Sequence, residues 1–178
     1  RFEEALQKAI RMMDGPFHGF ENNPVTEQWE LTDESLATPT DHRLYLVAKA
    51  LALGYSVERV WDLSRIDRWF LSKMKNITDH ANRMSAMTTQ ISAPELRYAK
   101  QIGFCDGQIA KCLSVTSLKV RQLRESQGIT PVVKLIDTVA GEFPAVTNYL
   151  FLTYNGESHD VDFEGGYVMT LGSGVYRI

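Results

Sequence analysis

Two stretches of this chain repeat one pattern about fifty residues apart. The matching pairs are Gly54-Tyr55-Ser56 with Gly103-Phe104-Cys105, Val60 with Ile109, Ile66-Asp67 with Val115-Thr116, and Leu71 and Met74 with Val120 and Leu123. In each stretch the glycine ends a preceding helix, a short helix packs on its apolar residues, and Asp67 or Thr116 caps the next helix. The repeat therefore predicts two similar helical hairpins. Because two units fall short of the three that a solenoid needs, we expect a paired helical bundle.

Helical periodicity continues on both sides of the first unit. An apolar stripe from Phe2 to Met13 predicts a first helix, which Asp14-Gly15-Pro16 would end because glycine frees the backbone and proline lacks an N–H donor. Asp41 is placed to cap a second helix that Gly54 would stop. Apolar residues in steps of four and three predict a long helix in the first hairpin: Phe70, Met74, Ile77, Ala81 and Met84. Ser92-Ala-Pro-Glu95 is a strong helix-start signal before the second hairpin.

Two other regions lack helical periodicity. The acidic segment from Phe17 to Pro39 has no sustained period, and we interpret it as a long surface connection. Beyond Gly128, β-branched and aromatic residues predict an extended segment, in which Thr147 to Tyr154 is the best strand candidate. The last residues, Tyr167 to Ile178, read as an apolar strand that enters a glycine turn. Since a single strand cannot bury both faces, we expect this chain to be part of a larger protein.

Charge and cysteine content favour some classes of protein over others. A net charge of −3 does not mark a nucleic-acid or membrane-surface binder. Residues 95–128 carry six basic and three acidic side chains, and because hairpins of this type also read DNA, a helix-turn-helix DNA-binding module stays open as an alternative. Only two cysteines occur, which favours a reducing intracellular compartment. No apolar run approaches the roughly 20 residues of a membrane helix.

The chain offers few candidates for chemistry. Cys105 and Cys112 lie seven positions apart without a further ligand at metal-binding spacing, so we interpret them as core residues. The cluster of Glu157, His159, Asp160 and Asp162 resembles a cation loop but lacks its glycine and terminal glutamate, and a solvated linker or a small enzyme site are the two readings. Gly172-Ser173-Gly174 begins like a phosphate-binding turn, or simply ends a strand. No nucleophile pattern is present, and we predict no catalytic, cofactor-binding or metal residue.

Large aromatic residues lie on both helices of the first hairpin. Trp61, Trp69 and Phe70 are most often core residues, because a ring buried against helices gains much apolar contact. The alternative is that some of them face another subunit, since aromatic side chains are enriched in assembly interfaces.

Several short sequence segments, which occur in the same order along the chain, resemble the large subunit of carbamoyl-phosphate synthetase, and the resemblance covers essentially the whole chain. They are Phe2-Glu-Glu-Ala-Leu-Gln-Lys-Ala-Ile-Arg11, Gly54-Tyr-Ser-Val57, Ile66-Asp-Arg-Trp-Phe-Leu71, Gly103-Phe104 with Gln108-Ile-Ala-Lys111, and Ile136-Asp-Thr-Val-Ala-Gly-Glu-Phe143. The words Thr147–Gly156 and Leu171–Ile178 are most similar to the eukaryotic fused form that begins pyrimidine synthesis. The ammonia-using mitochondrial enzyme of the urea cycle is the alternative within the family.

The resemblance implies a mainly α fold: a helical bundle with two similar hairpins, an extended segment, and short C-terminal strands that begin an α/β domain. It divides the chain into the end of one ATP-grasp half (1–16), an acidic connecting loop (17–40), a helical oligomerisation domain (41–128), an extended linker with a strand (129–166) and the start of the second half (167–178). It also implies a set of structural anchors, namely Asp67, Trp69, Phe70, Leu71, Thr116, Asp137, Thr138, Glu142 and Phe143.

The resemblance further implies a non-catalytic module whose parent is an ATP-dependent ligase. That parent would make carbamoyl phosphate from bicarbonate, glutamine-derived ammonia and two ATP with magnesium, in the cytoplasm, or in mitochondria under the urea-cycle alternative. The implied partners are the two flanking ATP-grasp halves and further copies of the parent, without nucleic acid or membrane. This module would hold the two halves in fixed orientation, because carboxyphosphate and carbamate must not meet bulk water.

Overall fold

The computed structural model describes residues 1–13, 17–20, 24–87, 90–144, 149–162 and 165. These residues form helices and one small sheet, in the order α1 (Phe2–Met12), α2 (Pro24–Glu27), α3 (Asp33–Ala37), α4 (Arg43–Ala52), α5 (Val57–Ser64), α6 (Arg68–Ser85), α7 (Ala93–Gln101), α8 (Asp106–Leu113), α9 (Ser117–Ser126), β1 (Val132–Leu135) and β2 (Leu150–Thr153). The mainly helical fold is confirmed. The chain divides into two compact units, Arg1–Thr130 and Pro131–Ile178.

The predicted repeat is present in the first unit at a spacing of 49 positions. Helices α4, α5 and the start of α6 form the first copy, and α7, α8 and α9 form the second. Both copies turn through a left-handed glycine, Gly54 with φ +92° and Gly103 with φ +94°. The second helix of each copy ends on a left-handed residue, Arg65 with φ 58° after α5 and Ser114 with φ 54° after α8, so the backbone follows the same path between helices in both copies.

The caps that define the copies agree with the sequence. Asp67 Oδ1 accepts a hydrogen bond from the Trp69 amide at 2.8 Å, and Thr116 Oγ1 accepts one from the Lys119 amide at 3.2 Å. Ser92 and Glu95 form the predicted capping box of α7. Asp41, however, does not cap α4, because that helix begins one residue later, at an N-cap of His42 without a side-chain hydrogen bond.

The segment between α1 and α4 is not simply a surface connection. It contains α2 and α3, and it buries Phe20 and Leu36 completely. Thr32 and Ser35 form a capping box at the start of α3, and this short helix packs against α4 and α5. A single helical turn buries one face without producing a periodic pattern, and this is why periodicity missed it. The Asp14-Gly15-Pro16 stop lies outside the described residues.

The core of the first unit is formed by apolar side chains from every helix of both copies. Fully or almost fully buried members include Val47, Leu51, Val60, Leu71, Ile77, Met84, Leu96, Ile102, Ile109 and Val120. Helix α6 joins the copies, because it packs on α4 and α5 of the first copy and on α8 of the second.

The second unit contains a two-stranded antiparallel sheet. Val132 pairs with Thr153 and Leu135 with Leu150. Strand β2 lies inside the predicted Thr147–Tyr154 candidate, whereas β1 falls in a segment that was predicted only as extended. The predicted strand and turn at 167–178, including Gly172-Ser173-Gly174, lie outside the described residues.

Candidate assembly site

Helix α1 is tied to the turn between α7 and α8 by a buried polar network. The Gln7 Nε2 atom donates to the Ile102 carbonyl at 2.8 Å, and Gln7 Oε1 accepts from Gln108 Nε2 at 2.8 Å. Arg11 donates to the Gly103 carbonyl at 2.9 Å and to Gln108 Oε1 at 3.3 Å. Because Gln7 and Gln108 are both buried, removing either would leave its partner unsatisfied. The network therefore fixes α1 in one position on the turn.

The backbone of α1 approaches this turn too closely for a side chain. A Cβ atom built on Gly103 would lie 2.8 Å from the Glu4 Cα atom. A Cβ atom on Gly19 would likewise overlap the amide groups of Gln7 and Gln108. Glycine is required at Gly103 for two reasons, its left-handed backbone and this contact.

The other end of α1 lies on α6 in a cluster of aromatic rings. The Phe2 ring centroid is 5.6 Å from that of Trp69 and 5.2 Å from that of Phe70. About two turns further along α6, Asn76 Nδ2 donates to Glu3 Oε1 at 2.9 Å. We call Phe2, Trp69 and Phe70 the aromatic patch. Helix α1 thus bridges the two copies, with its start on α6 and its middle on the α7–α8 turn.

The aromatic patch corrects one prediction. Trp69 is 52% exposed and Phe70 is 42% exposed, so the prediction that they are core residues is wrong. Leu71, the next residue, is completely buried and belongs to the core with Met74. The buried face of α6 begins at Leu71. Phe70 shares a helix face with Met74, four positions later, but it lies before the point where α6 enters the core, so its ring stays exposed. Exposed aromatic surface of this kind is typical of protein interfaces.

The prediction that Trp61, Cys105 and Cys112 are core residues is wrong as well, because all three are half-buried. The Arg68 guanidinium lies 3.4 Å from the Trp61 ring centroid, a cation–π contact at the surface. The Cys105 sulfur accepts a hydrogen bond from the Gln108 amide at 3.4 Å and so serves as the N-cap of α8. This role explains why a small polar residue stands at the same place, Ser56, in the first copy.

The second copy has an ionic centre that the sequence analysis did not identify. Lys100 Nζ lies 2.7 Å from Asp106 Oδ1, and Arg124 Nε lies 3.0 Å from Asp106 Oδ2. Burial lowers the pKa of Lys100, although Asp106 opposes this shift. Burial acts to raise the pKa of Asp106, but hydrogen bonds and attraction from Lys100 and Arg124 outweigh it, and the net shift is downward. These three residues come from α7, α8 and α9, and they hold the helices of the second copy together.

The anchors predicted beyond Thr130 lie in a turn that follows β1. The Ile136 amide donates to the Tyr149 carbonyl at 2.7 Å, and Asp137 Oδ1 accepts from the Val139 amide at 3.0 Å. Thr138 lies in this turn, and the Glu142 amide closes it by donating to the Val139 carbonyl at 3.0 Å. Phe143 is 72% exposed. The anchoring roles of Asp137, Thr138, Glu142 and Phe143 stay predictions.

The cluster near Glu157 contains two side chains that protect the outer edge of β1. His159 Nδ1 accepts from the Val133 amide at 3.1 Å, and Asp160 Oδ2 accepts from the Leu135 amide at 3.1 Å. A hydrogen bond from Lys134, together with the Leu135 amide, lowers the pKa of Asp160. Within the described ranges no group of three metal-ligating side chains is close enough to hold an ion. The Val133 and Leu135 amides, which are two positions apart and point to the same edge of β1, both donate to acceptor side chains, and this covers the edge against pairing with another strand.

Much of the positive charge of the second copy is paired with acids. Lys100 and Arg124 contact Asp106, and Arg121 contacts Glu125 at 2.9 Å. Such pairing reduces the basic surface that a DNA-binding hairpin needs, so the geometry does not favour that alternative. In the part of the chain that the structure describes, no helix is long and apolar enough to cross a bilayer.

Comparison with known proteins agrees with this geometry. Residues 1–128 match the family described as the carbamoyl-phosphate synthetase large chain, oligomerisation domain. The match includes α1 together with both copies, as the compact first unit does. The assignment of residues 1–16 to a preceding ATP-grasp half stays a prediction.

Similar proteins are much longer than this chain. It is 51% identical over 178 residues to the multifunctional protein pyrABCN of Emericella nidulans, and 50% identical over 179 residues to the multifunctional protein CAD of Squalus acanthias. Both alignments use 99% of this chain but only 8% of the relative. The mitochondrial ammonia carbamoyl-phosphate synthase of Aquarana catesbeiana is 43% identical, with 99% of this chain and 12% of that protein aligned. The chain therefore belongs to the oligomerisation-domain family of the carbamoyl-phosphate synthetase large chain.

Proposed function

We propose that this chain is the non-catalytic brace of a carbamoyl-phosphate synthetase within a multifunctional protein of pyrimidine synthesis. The parent would phosphorylate bicarbonate and then carbamate with two ATP and magnesium, in flanking ATP-grasp halves in the cytoplasm. The brace would keep those halves in one relative orientation, so that unstable intermediates pass between them without contact with bulk water. Higher identity to the multifunctional proteins than to the mitochondrial ammonia enzyme favours this parent over the urea-cycle alternative.

The observation that carries the proposal is the double attachment of α1. Phe2 and Glu3 hold its start on α6, while Gln7 and Arg11 hold its middle on the α7–α8 turn. A helix held at two separated points cannot pivot, because rotation about one contact breaks the other. A domain that is joined to this helix would therefore have a fixed orientation relative to both copies.

The aromatic patch supports a second part of the proposal, which is contact with protein outside this chain. Trp69 and Phe70 expose large ring surfaces beside Phe2, and rings of this kind supply much of the energy of protein interfaces. We assign the patch to the neighbouring ATP-grasp half or to a second copy of the parent. The turn from Ile136 to Phe143, whose Phe143 ring is also exposed, would form a further contact with an ATP-grasp half.

The test uses the multifunctional parent and separates coupling from chemistry. Replacing Gln108 with alanine removes its hydrogen bonds to both Gln7 and Arg11 and leaves the buried Gln7 Oε1 atom without that donor. We expect the rate of carbamoyl phosphate synthesis to fall at least tenfold while bicarbonate-dependent ATP hydrolysis persists, because carboxyphosphate then decomposes in water. The control is Arg121→Ala, which removes only an exposed ion pair with Glu125. Equal synthesis rates in the two variants would contradict the brace.

The aromatic patch has its own test. The single variants Trp69→Ser and Phe70→Ser each remove one exposed ring and leave the other in contact with Phe2, so the start of α1 should stay on α6 and the chain should fold. We expect sedimentation velocity of the parent to show weaker self-association, or limited proteolysis to show earlier release of the neighbouring half. The control is Leu53→Ser, an exposed apolar residue at the end of the first helix of copy one and outside the patch. If the control and the patch variants behave alike, the assignment of the patch fails.

A further inference from the structure

His80 lies at the point where the two copies meet. It stands on the second half of α6, and its side chain is 1% exposed. Its ring packs edge-to-face on Tyr98 of α7, with centroids 5.0 Å apart, and on Phe104 of the α7–α8 turn, with centroids 5.9 Å apart. The imidazole therefore fills an aromatic position between α6 and the second copy.

Neither ring nitrogen of His80 has a hydrogen-bond partner among the described residues. A buried polar atom without a partner has a free-energy cost, and a buried charge without a partner has a much larger one. The neutral imidazole can be tolerated here as a small aromatic ring. The protonated imidazolium is unfavourable at this position, because it places two N–H donors and a positive charge between the Tyr98 and Phe104 rings.

The groups around the ring do not compensate the burial of a proton. Arg83, one turn further along α6, repels it, while the carboxylate and the backbone of Glu95 on α7 both favour it, and the net effect with burial is still a lowered pKa of His80. Glu95 is already engaged, since its Oε2 atom accepts from the Ser92 hydroxyl at 2.7 Å. Most ionisable groups on the other elements packed against α6 already have partners of their own. These pairs are Glu3 with Asn76, Glu4 with Lys8, Lys49 with the Thr26 and Trp29 carbonyls, Glu58 with Arg68, and Asp106 with Lys100 and Arg124. Lys111 of α8 lines a cleft with Asn82, and Asp62 of α5 is exposed.

We propose that His80 makes the packing between α6 and the second copy sensitive to protons, so that acidification loosens the two copies from each other. Burial lowers the pKa of His80, with a further contribution from Arg83 and a smaller opposing one from Glu95. The folded pKa then lies below the unfolded value, which is near 6.5. The packing is at full strength above about pH 6.5, and it weakens as the pH falls below that value toward the folded pKa, because the unfolded chain binds the proton more tightly.

The test compares the wild-type chain with His80→Phe, which keeps an aromatic ring and removes the titration. Urea unfolding is followed between pH 8 and pH 5. Below about pH 6.5 we expect the wild-type unfolding constant to rise, relative to the variant, by up to tenfold per pH unit. Parallel pH curves for the two proteins would overturn the proposal.

A second measurement needs no variant. The ring protons of His80 are followed by NMR between pH 8 and pH 5 in the wild-type chain. We expect the His80 ring to stay neutral in the folded chain at pH 6, and we expect amide exchange at pH 6 to increase in α6 and α7 more than in α4. If the His80 ring is protonated in the folded chain at pH 6, or if exchange rises equally in α4 and α7, the proposal is wrong.

Discussion

The two copies have the same backbone path but different centres. Leu51, at the last turn of α4, is buried among apolar side chains, whereas its counterpart 49 positions later is Lys100, which is only 6% exposed and pairs with Asp106. The counterpart of Asp106 is Val57, and the counterpart of Arg124 is Lys75. The first copy therefore has a buried leucine, a half-buried valine and a lysine that pairs with Asp79 at the places where the second copy has three charges in one cluster.

This difference shows that one hairpin geometry accepts two kinds of chemistry with different tolerance to change. An apolar centre loses stability in proportion to the contact that a substitution removes. An ionic centre is stable only while every charge has a partner, because a buried charge left alone is strongly unfavourable. We therefore expect the second copy to be the more sensitive of the two, and the following predictions test that expectation from the largest effect to the smallest.

The largest effect is expected from Asp106→Ala. This change leaves the buried Lys100 ammonium and Arg124 without their carboxylate, and breaking such a pair costs about 3–5 kcal/mol of the free energy of unfolding. Urea unfolding monitored by circular dichroism gives the value. The control is Asp79→Ala, which removes the more exposed ion pair with Lys75 in the first copy and should cost less than about 0.5 kcal/mol.

A double variant sharpens the same comparison. Lys100→Leu with Asp106→Val gives the second copy the residues of the first, and replacing a buried pair by apolar side chains is often neutral or stabilising. We expect a stability above that of Asp106→Ala, because the buried Lys100 ammonium is removed and only Arg124 loses its Asp106 partner. If the double variant is as unstable as Asp106→Ala, the two copies do not share one interchangeable centre.

The second prediction concerns the two glycines at matching turns. Gly54 and Gly103 have the same left-handed backbone, so alanine should cost about 1–2 kcal/mol at either position through backbone strain alone. A Cβ atom on Gly54 meets nothing within 4 Å in the described structure, whereas on Gly103 it meets Glu4 of α1 at 2.8 Å. Overpacking adds about 1–3 kcal/mol, so Gly103→Ala should be clearly the more destabilising in urea titration. Equal losses would show that α1 is not firmly held on the turn.

The third prediction is an acid dependence that belongs to the second copy alone. The pKa of Asp106 is lowered in the folded chain, so its contribution is present above the unfolded pKa near 4 and is lost as the pH falls through the folded pKa. The loss is about 1.4 kcal/mol for each pH unit between the two pKa values. Wild-type stability should therefore fall more steeply below pH 4 than that of the Lys100→Leu, Asp106→Val variant. The same slope in both proteins would exclude Asp106 as the source.

The sequence predicted the local features of both copies because they depend on neighbouring residues. The glycine turns and the caps at Asp67, Ser92 and Thr116 are set by interactions within three residues, and each is confirmed. The long helix α6 followed from apolar spacing. The glycine turns and helix caps occur at equivalent positions in both copies, so the same sequence pattern indicates the same local structure twice.

Features that depend on distant residues were missed. The Lys100–Asp106–Arg124 centre joins three helices, and nothing in the spacing of its members marks it. The burial of Leu36 requires α4 and α5 to be in place, and the exposure of Trp69 follows from where the core lies rather than from its helical position. His159 protects a strand that the sequence did not reveal. In each case tertiary contacts, rather than local propensity, decide the outcome.

The smallest effect distinguishes the two caps that precede the short helices. Ser56 Oγ accepts from the Arg59 amide at 3.1 Å, whereas the Cys105 sulfur accepts from the Gln108 amide at 3.4 Å. Sulfur is a weak acceptor, so Ser56→Ala should cost about 1 kcal/mol and Cys105→Ala less than about 0.5 kcal/mol. In the second copy the Gln108 side chain compensates, since its Oε1 atom accepts from the Cys105 amide at 3.0 Å. Cys105→Ser should then raise the thermal midpoint slightly, because an oxygen acceptor is added to a cap that already holds one hydrogen bond. A lower midpoint would mean that the sulfur contributes through packing rather than as a cap.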